Sequence, residues 1–130
     1  MKIEHIGFIV PSPVSMGEWY SENFSLEILR KLGNDEQGVV FLKDPESGTV
    51  LEFAKLKEID PVSYRSLPDL QIHLAFESEN PREFSRKLEK AGAEFIGESP
   101  KAEAENERFL LKDPWGVTIQ IINRKNRLEK

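Results

Sequence analysis

Two histidines stand in this chain, and both sit inside short apolar stretches, His5 in Ile3 to Val10 and His73 in Leu70 to Phe76. Two further polar residues interrupt apolar stretches in the same manner: Glu52 within Thr49 to Leu56, and Gln120 within Gly116 to Asn123. These residue types define a narrow range of chemistry. An imidazole moves protons near neutral pH or binds a metal, a carboxylate acts as a base or a ligand, and an amide oxygen is a weak neutral donor. Cysteine is absent, so disulfides, thiolate ligands and a thiol nucleophile are excluded, and any metal must be held by nitrogen and oxygen. The bland alternative is that each histidine is structural and that Glu52 and Gln120 are an edge carboxylate and a hydrogen-bonding amide.

An internal repeat decides how these residues are read. Phe41-Leu42-Lys43-Asp44-Pro45-Glu46-Ser47-Gly48-Thr49-Val50-Leu51-Glu52 returns as Leu110-Leu111-Lys112-Asp113-Pro114-Trp115-Gly116-Val117-Thr118-Ile119-Gln120, one residue shorter in the turn. His5-Ile6-Gly7-Phe8 returns as His73-Leu74-Ala75-Phe76. The two histidines therefore occupy equivalent positions, and so do Glu52 and Gln120.

Each copy opens with an apolar strand that runs through a break into a helix, predicted over Pro13 to Phe24 and Pro81 to Gly92. In the second helix Asn80 is the expected cap, Pro81 suits the first turn, Gly92 the stop, and Phe84, Leu88 and Ala91 share a face. In the first, Trp19, Tyr20 and Phe24 are the expected buried residues. Three strands follow: Leu26 to Leu32, Val39 to Lys43 and Thr49 to Leu56, mirrored near Glu94 to Gly97, Arg108 to Lys112 and Gly116 to Asn123. The last two in each copy are joined by Asp-Pro turns that end in Gly. This order predicts an α+β chain of two tandem βαβββ modules, 1–56 and 69–124, joined by a surface linker over 57–68 within one domain of 130 residues.

Side chains alternate along a strand, which assigns faces. Ile6, Phe8 and Val10, with Leu51 and Phe53, form the helix-packed face of the first module; Ile72, Leu74 and Phe76, with Ile119 and Ile121, form that of the second. His5, Glu52, His73 and Gln120 then all lie on the opposite faces, beside the small residues Gly7, Ala54 and Ala75.

This order of elements, with a histidine in each first strand and a carboxylate or amide in each last, resembles the vicinal oxygen chelate superfamily of glyoxalases, bleomycin resistance proteins and extradiol dioxygenases. The likeness spans essentially the whole chain. It implies an open barrel-like cleft in which ligands from two modules meet at one divalent metal (zinc, nickel, iron, cobalt or manganese), and it places those ligands on His5, Glu52, His73 and Gln120. With one carboxylate such a site carries a formal charge of about +1, suited to a developing oxyanion.

The glyoxalase I pattern implies a metal-dependent lyase or isomerase acting on a small substrate with two vicinal oxygens, with Glu52 as the catalytic base. Gln120 departs from the bacterial pattern of His, Glu, His and Glu, because an amide cannot take a proton. A single-base shuttle remains open, as do an acyl-coenzyme A epimerase, a non-haem iron dioxygenase and a metal-free drug-binding protein. Trp115, in the second turn, is a weaker candidate for contact with a substrate.

The net charge of −5 argues against a nucleic-acid partner, and no stretch is long enough to cross a bilayer. A cytoplasmic protein is expected, and the family's habits favour a homodimer. Arg124, Lys125 and Arg127 read as a solvated tail, and the charged run from Lys101 to Arg108 as a loop able to cover the site.

Overall fold

The computed structural model describes residues 1–98 and 107–128. The run from Lys101 therefore lies outside the described residues, except for its last two positions, which belong to a strand. Two compact units, Met1–Val62 and Ser63–Lys130, divide the chain. Each holds one βαβββ module, as the repeat requires.

In the first unit β1 (Ile6–Ile9) leads to α1 (Pro13–Phe24), then to β2 (Glu27–Gly33), β3 (Gly38–Lys43) and β4 (Val50–Lys55). The strands form one mixed sheet in the order β1-β4-β3-β2. β1 and β4 run parallel, with Gly7 opposite Glu52 and Phe8 opposite Phe53. First and last strands of the module are thereby neighbours, which is what brings two distant polar residues to one place.

α1 begins on Pro13, whose fixed φ and missing N–H suit a first turn. It ends on Ser25, in the left-handed conformation at φ 54°. Its inner face buries Met16 and Tyr20 completely. Tyr20 packs on Phe53, with ring centroids 5.2 Å apart, and Phe53 on Phe8 at 5.9 Å. The predicted helix face is corrected in part: Tyr20 is the anchor, whereas Trp19 and Phe24 are only half-buried and flank it. The helix lies so close to the sheet at Gly17 that a Cβ there would stand 2.6 Å from Val40 Cγ1.

The second unit repeats this plan with β5 (His73–Glu77), α2 (Pro81–Lys90), β6 (Glu94–Glu98), β7 (Glu107–Lys112) and β8 (Thr118–Asn123), in the order β5-β8-β7-β6. Leu88 of α2 is buried, as are Ile119 and Ile121 of β8. Asn80 precedes α2 but makes no side-chain cap, and its own N–H donates to Ser78 Oγ. The helix stops at Lys90, and the Gly92 N–H reaches back to the Glu89 carbonyl with φ at +106°.

The stretch between the modules carries structure of its own. Leu56 and Ile59 form an isolated bridge, and Tyr64–Ser66 form a short 3-10 turn whose Tyr64 is buried. Burial raises the Tyr64 pKa above its ordinary value, and the nearby Asp113 charge adds to the shift. Prolines and low periodicity identified the connection but gave no sign that an aromatic ring would anchor it.

Candidate functional site

In the first unit the parallel pairing of β1 with β4 sets Glu52 directly across from Gly7. His5 lies two residues before Gly7 and so shares its face. The result is contact: His5 Nε2 stands 3.8 Å from Glu52 Oε2. Gly7 makes room for this, since a Cβ there would be 3.0 Å from Glu52 Oε1 and 3.9 Å from His5 Cδ2. Phe41, opposite Glu52 on β3, meets the imidazole edge-on at 5.6 Å. Both polar side chains keep contact with water, the His5 side chain at 34% and that of Glu52 at 24% exposure.

The other ring nitrogen of His5 is committed. Its Nδ1 hydrogen-bonds the carboxylate of Glu4. That bond raises the His5 pKa above the ordinary 6.5; partial loss of water acts in the opposite direction, and the charges of Glu4 and Glu52 add to the rise. A carboxylate on Nδ1 favours the tautomer and ring orientation that leave Nε2 facing Glu52.

The second unit repeats the arrangement with different partners. Ala75 pairs with Gln120, and His73 with Thr118, so His73 and Gln120 share one face of the sheet on a diagonal. His73 is exposed, whereas Gln120 is buried at 8% exposure. Here Nδ1 of His73 donates to the Leu70 carbonyl at 3.1 Å, in the tautomer that presents Nε2. Sequence alternation identified both histidines; it could not identify Glu4 or Leu70, because neither lies in the strand ladder.

The donor set fits a divalent cation on chemical grounds: two imidazoles whose Nδ1 is engaged, one carboxylate and one amide oxygen. The two pairs belong to different units. Among the described residues no three His, Asp or Glu side chains gather as a metal cluster. Trp115 is half-buried in the turn after β7, where its N–H donates to Asp113 Oδ1 at 2.8 Å. The Val117 N–H donates to the same oxygen, so Asp113 closes the turn as Asp44 does in the first unit.

The Glu4 contact yields a prediction. A divalent cation bound at His5 would compete with its proton, so log Kd plotted against pH should bend above the ordinary histidine value, with binding weakening below the bend. Glu4→Gln should move that bend to lower pH and weaken metal binding by roughly 10- to 100-fold. An unmoved bend would separate Glu4 from the state of His5.

The model of the Glyoxalase/Bleomycin resistance protein/Dioxygenase superfamily matches residues 2–121. The chain belongs to this superfamily. A solved glyoxalase-superfamily protein from Bacillus cereus matches 95% of this chain over 93% of its own, with 18% identity and a TM-score of 0.76. A possible glyoxalase from the same organism is 26% identical over 94% of this chain and 98% of its own, with a TM-score of 0.65. The fosfomycin resistance protein FosX of Listeria monocytogenes, in complex with Mn(II) and sulfate, gives 16% identity and a TM-score of 0.72 over 98% of this chain and 92% of its own. No curated protein is similar enough to match. The superfamily includes glyoxalase I, fosfomycin resistance enzymes and antibiotic-binding proteins, and the fold common to them is the tandem βαβββ plan described above. No helix among the described residues is long and apolar enough to cross a membrane.

Proposed function

We propose that His5, Glu52, His73 and Gln120 together hold one divalent metal ion, and that the protein is a metal-dependent lyase or isomerase similar to glyoxalase I. The observation that carries this reading is the matched state of the two histidines. Each has Nδ1 engaged by an oxygen, Glu4 in one case and Leu70 in the other. Metal-binding imidazoles are oriented in this way, and two purely structural histidines have no need to share it.

The ion, when bound, supplies positive charge where an oxyanion develops on a substrate with two vicinal oxygens. Glu52 is the base: it is part-exposed, faces His5 across 3.8 Å, and moves a proton between adjacent carbons of the substrate. Gln120 orients and does not titrate, so the proton shuttle runs through one carboxylate. The protein acts on a small molecule, in the cytoplasm, as a homodimer.

A second reading, a metal-free small-molecule or drug-binding protein, is favoured by Gln120 itself. A buried neutral amide is the poorest metal donor of the four and suits hydrogen bonding to a ligand. Elemental analysis of the purified protein separates the two. Near-stoichiometric metal, lost in both His5→Ala and His73→Ala, is expected. Absence of uptake from zinc, nickel, iron, cobalt and manganese salts would leave the binding-protein reading.

A further inference from the structure

Lys112 is a charged side chain with no part in the reaction outlined above, and its ammonium end is nearly out of water. The residue is 5% exposed. Its position is set by register. Lys112 pairs with Thr118 on β8, and Thr118 pairs with His73 on β5. Registered neighbours point the same way, so His73, Thr118 and Lys112 form one row across the sheet, on the face that also carries Gln120. At about 4.8 Å per strand, Lys112 and His73 are roughly 10 Å apart along that row at the backbone.

The ammonium is poorly satisfied for a buried cation. Its hydrogen bonds to the Gly116 carbonyl and Thr118 Oγ1 are both 3.5 Å long. Among the described residues the carboxylate it pairs with is Asp69, whose Oδ1 stands at 3.6 Å, beyond a good hydrogen bond, on a side chain that is 43% exposed; Glu94, registered across from Lys112 on β6, is bonded instead to Arg65. A buried charge normally gathers short, direct partners, since the loss of hydration is otherwise uncompensated. Asp69 sits in the turn closed by the Gln71 N–H on the Pro68 carbonyl, the same turn whose Leu70 carbonyl orients His73.

We propose that Lys112 is the anchor for an anionic group of the ligand, and that Asp69 is a resident carboxylate which the ligand's own carboxylate displaces. The ligand class is a small carboxylic acid whose acid group rests on Lys112 while its other oxygens face His73 and Gln120. The proposal deepens the functional reading, because it names the substrate class of the same site. A carboxylate is favoured because it exchanges with Asp69 like for like in shape and charge. The companion position in the first unit, Lys43 opposite Val50, has no hydroxyl beside it and is not buried, so the subsite belongs to one unit.

The test needs no added metal and uses the full chain. Acetate is titrated at constant ionic strength, with chloride as control, while the backbone amide resonances of Gly116, Thr118 and His73 are followed. Saturable, acetate-specific shifts are expected at these amides, lost in Lys112→Met. In Asp69→Asn the apparent affinity should rise by at least about threefold, because the competing carboxylate is gone. Should Lys112→Met fail to fold, Asp69→Asn decides alone: unchanged or weaker acetate binding overturns the proposal, as does a wild-type response equal for acetate and chloride. A chain that takes up no metal yet gives the acetate response retains the subsite and loses the metal reading.

Discussion

Glu52→Gln should slow turnover of a vicinal-oxygen substrate by roughly a thousandfold, within the range a positioned general base contributes, while metal uptake falls far less. The change is close to isosteric, so the side chain still fits over Gly7, whose lack of a Cβ leaves the room it needs: a Cβ there would lie 3.0 Å from Glu52 Oε1. What is lost is the ability to accept a proton. Gln120 cannot compensate, since the second unit offers an amide at the equivalent position. Solvent-deuterium incorporation into product, measured beside kcat, distinguishes this cause from general damage: exchange at the migrating position should vanish with turnover. Activity within tenfold of the unaltered protein would exclude Glu52 as the base.

The largest expected loss of stability comes from Gly116→Val. Gly116 has φ of +95°, and a Cβ there would lie 2.7 Å from the Arg65 backbone nitrogen and 2.9 Å from its Cα. Two costs combine: a left-handed conformation for a branched residue, about 1–3 kcal/mol, and displacement of backbone packed against the turn. Arg65 is fixed further by bonds from its guanidinium to Glu94 at 3.0 Å and to the Pro114 carbonyl at 3.2 Å, so it yields poorly. A total near 3–5 kcal/mol is expected in urea unfolding. Gly48→Val is the internal control. That glycine has φ of +78° in the matching turn, but nothing lies within 4 Å of its added Cβ, so only the conformational cost applies. Equal losses in the two variants would show that the contact with Arg65 contributes little.

The comparison of these turns shows where reasoning from the repeat reaches its limit. Asp44-Pro45 and Asp113-Pro114 open turns of the same chemistry, and in both the aspartate accepts backbone N–H groups from the residues that follow. The repeat could not show that one turn stands open while the other is packed against a segment fifty residues earlier. Likewise, Pro81 and Gly92 bracketed α2, but the expected side-chain cap from Asn80 is not made.

The sequence by itself determined the order of elements, the duplication, and the faces on which His5, Glu52, His73 and Gln120 lie. It could do so because strand alternation and turn chemistry are local: period two and a few Asp, Pro and Gly residues carry them. Tertiary structure decided what those residues touch. The parallel pairing of first and last strands set Glu52 beside His5 and Gln120 across from Ala75. Irregular segments supplied Glu4 and Leu70 to the two Nδ1 atoms, Tyr64 to the interior and Asp69 to a buried Lys112. Such contacts join residues outside any periodic pattern, and they are fixed only when the whole chain has closed its backbone hydrogen bonds.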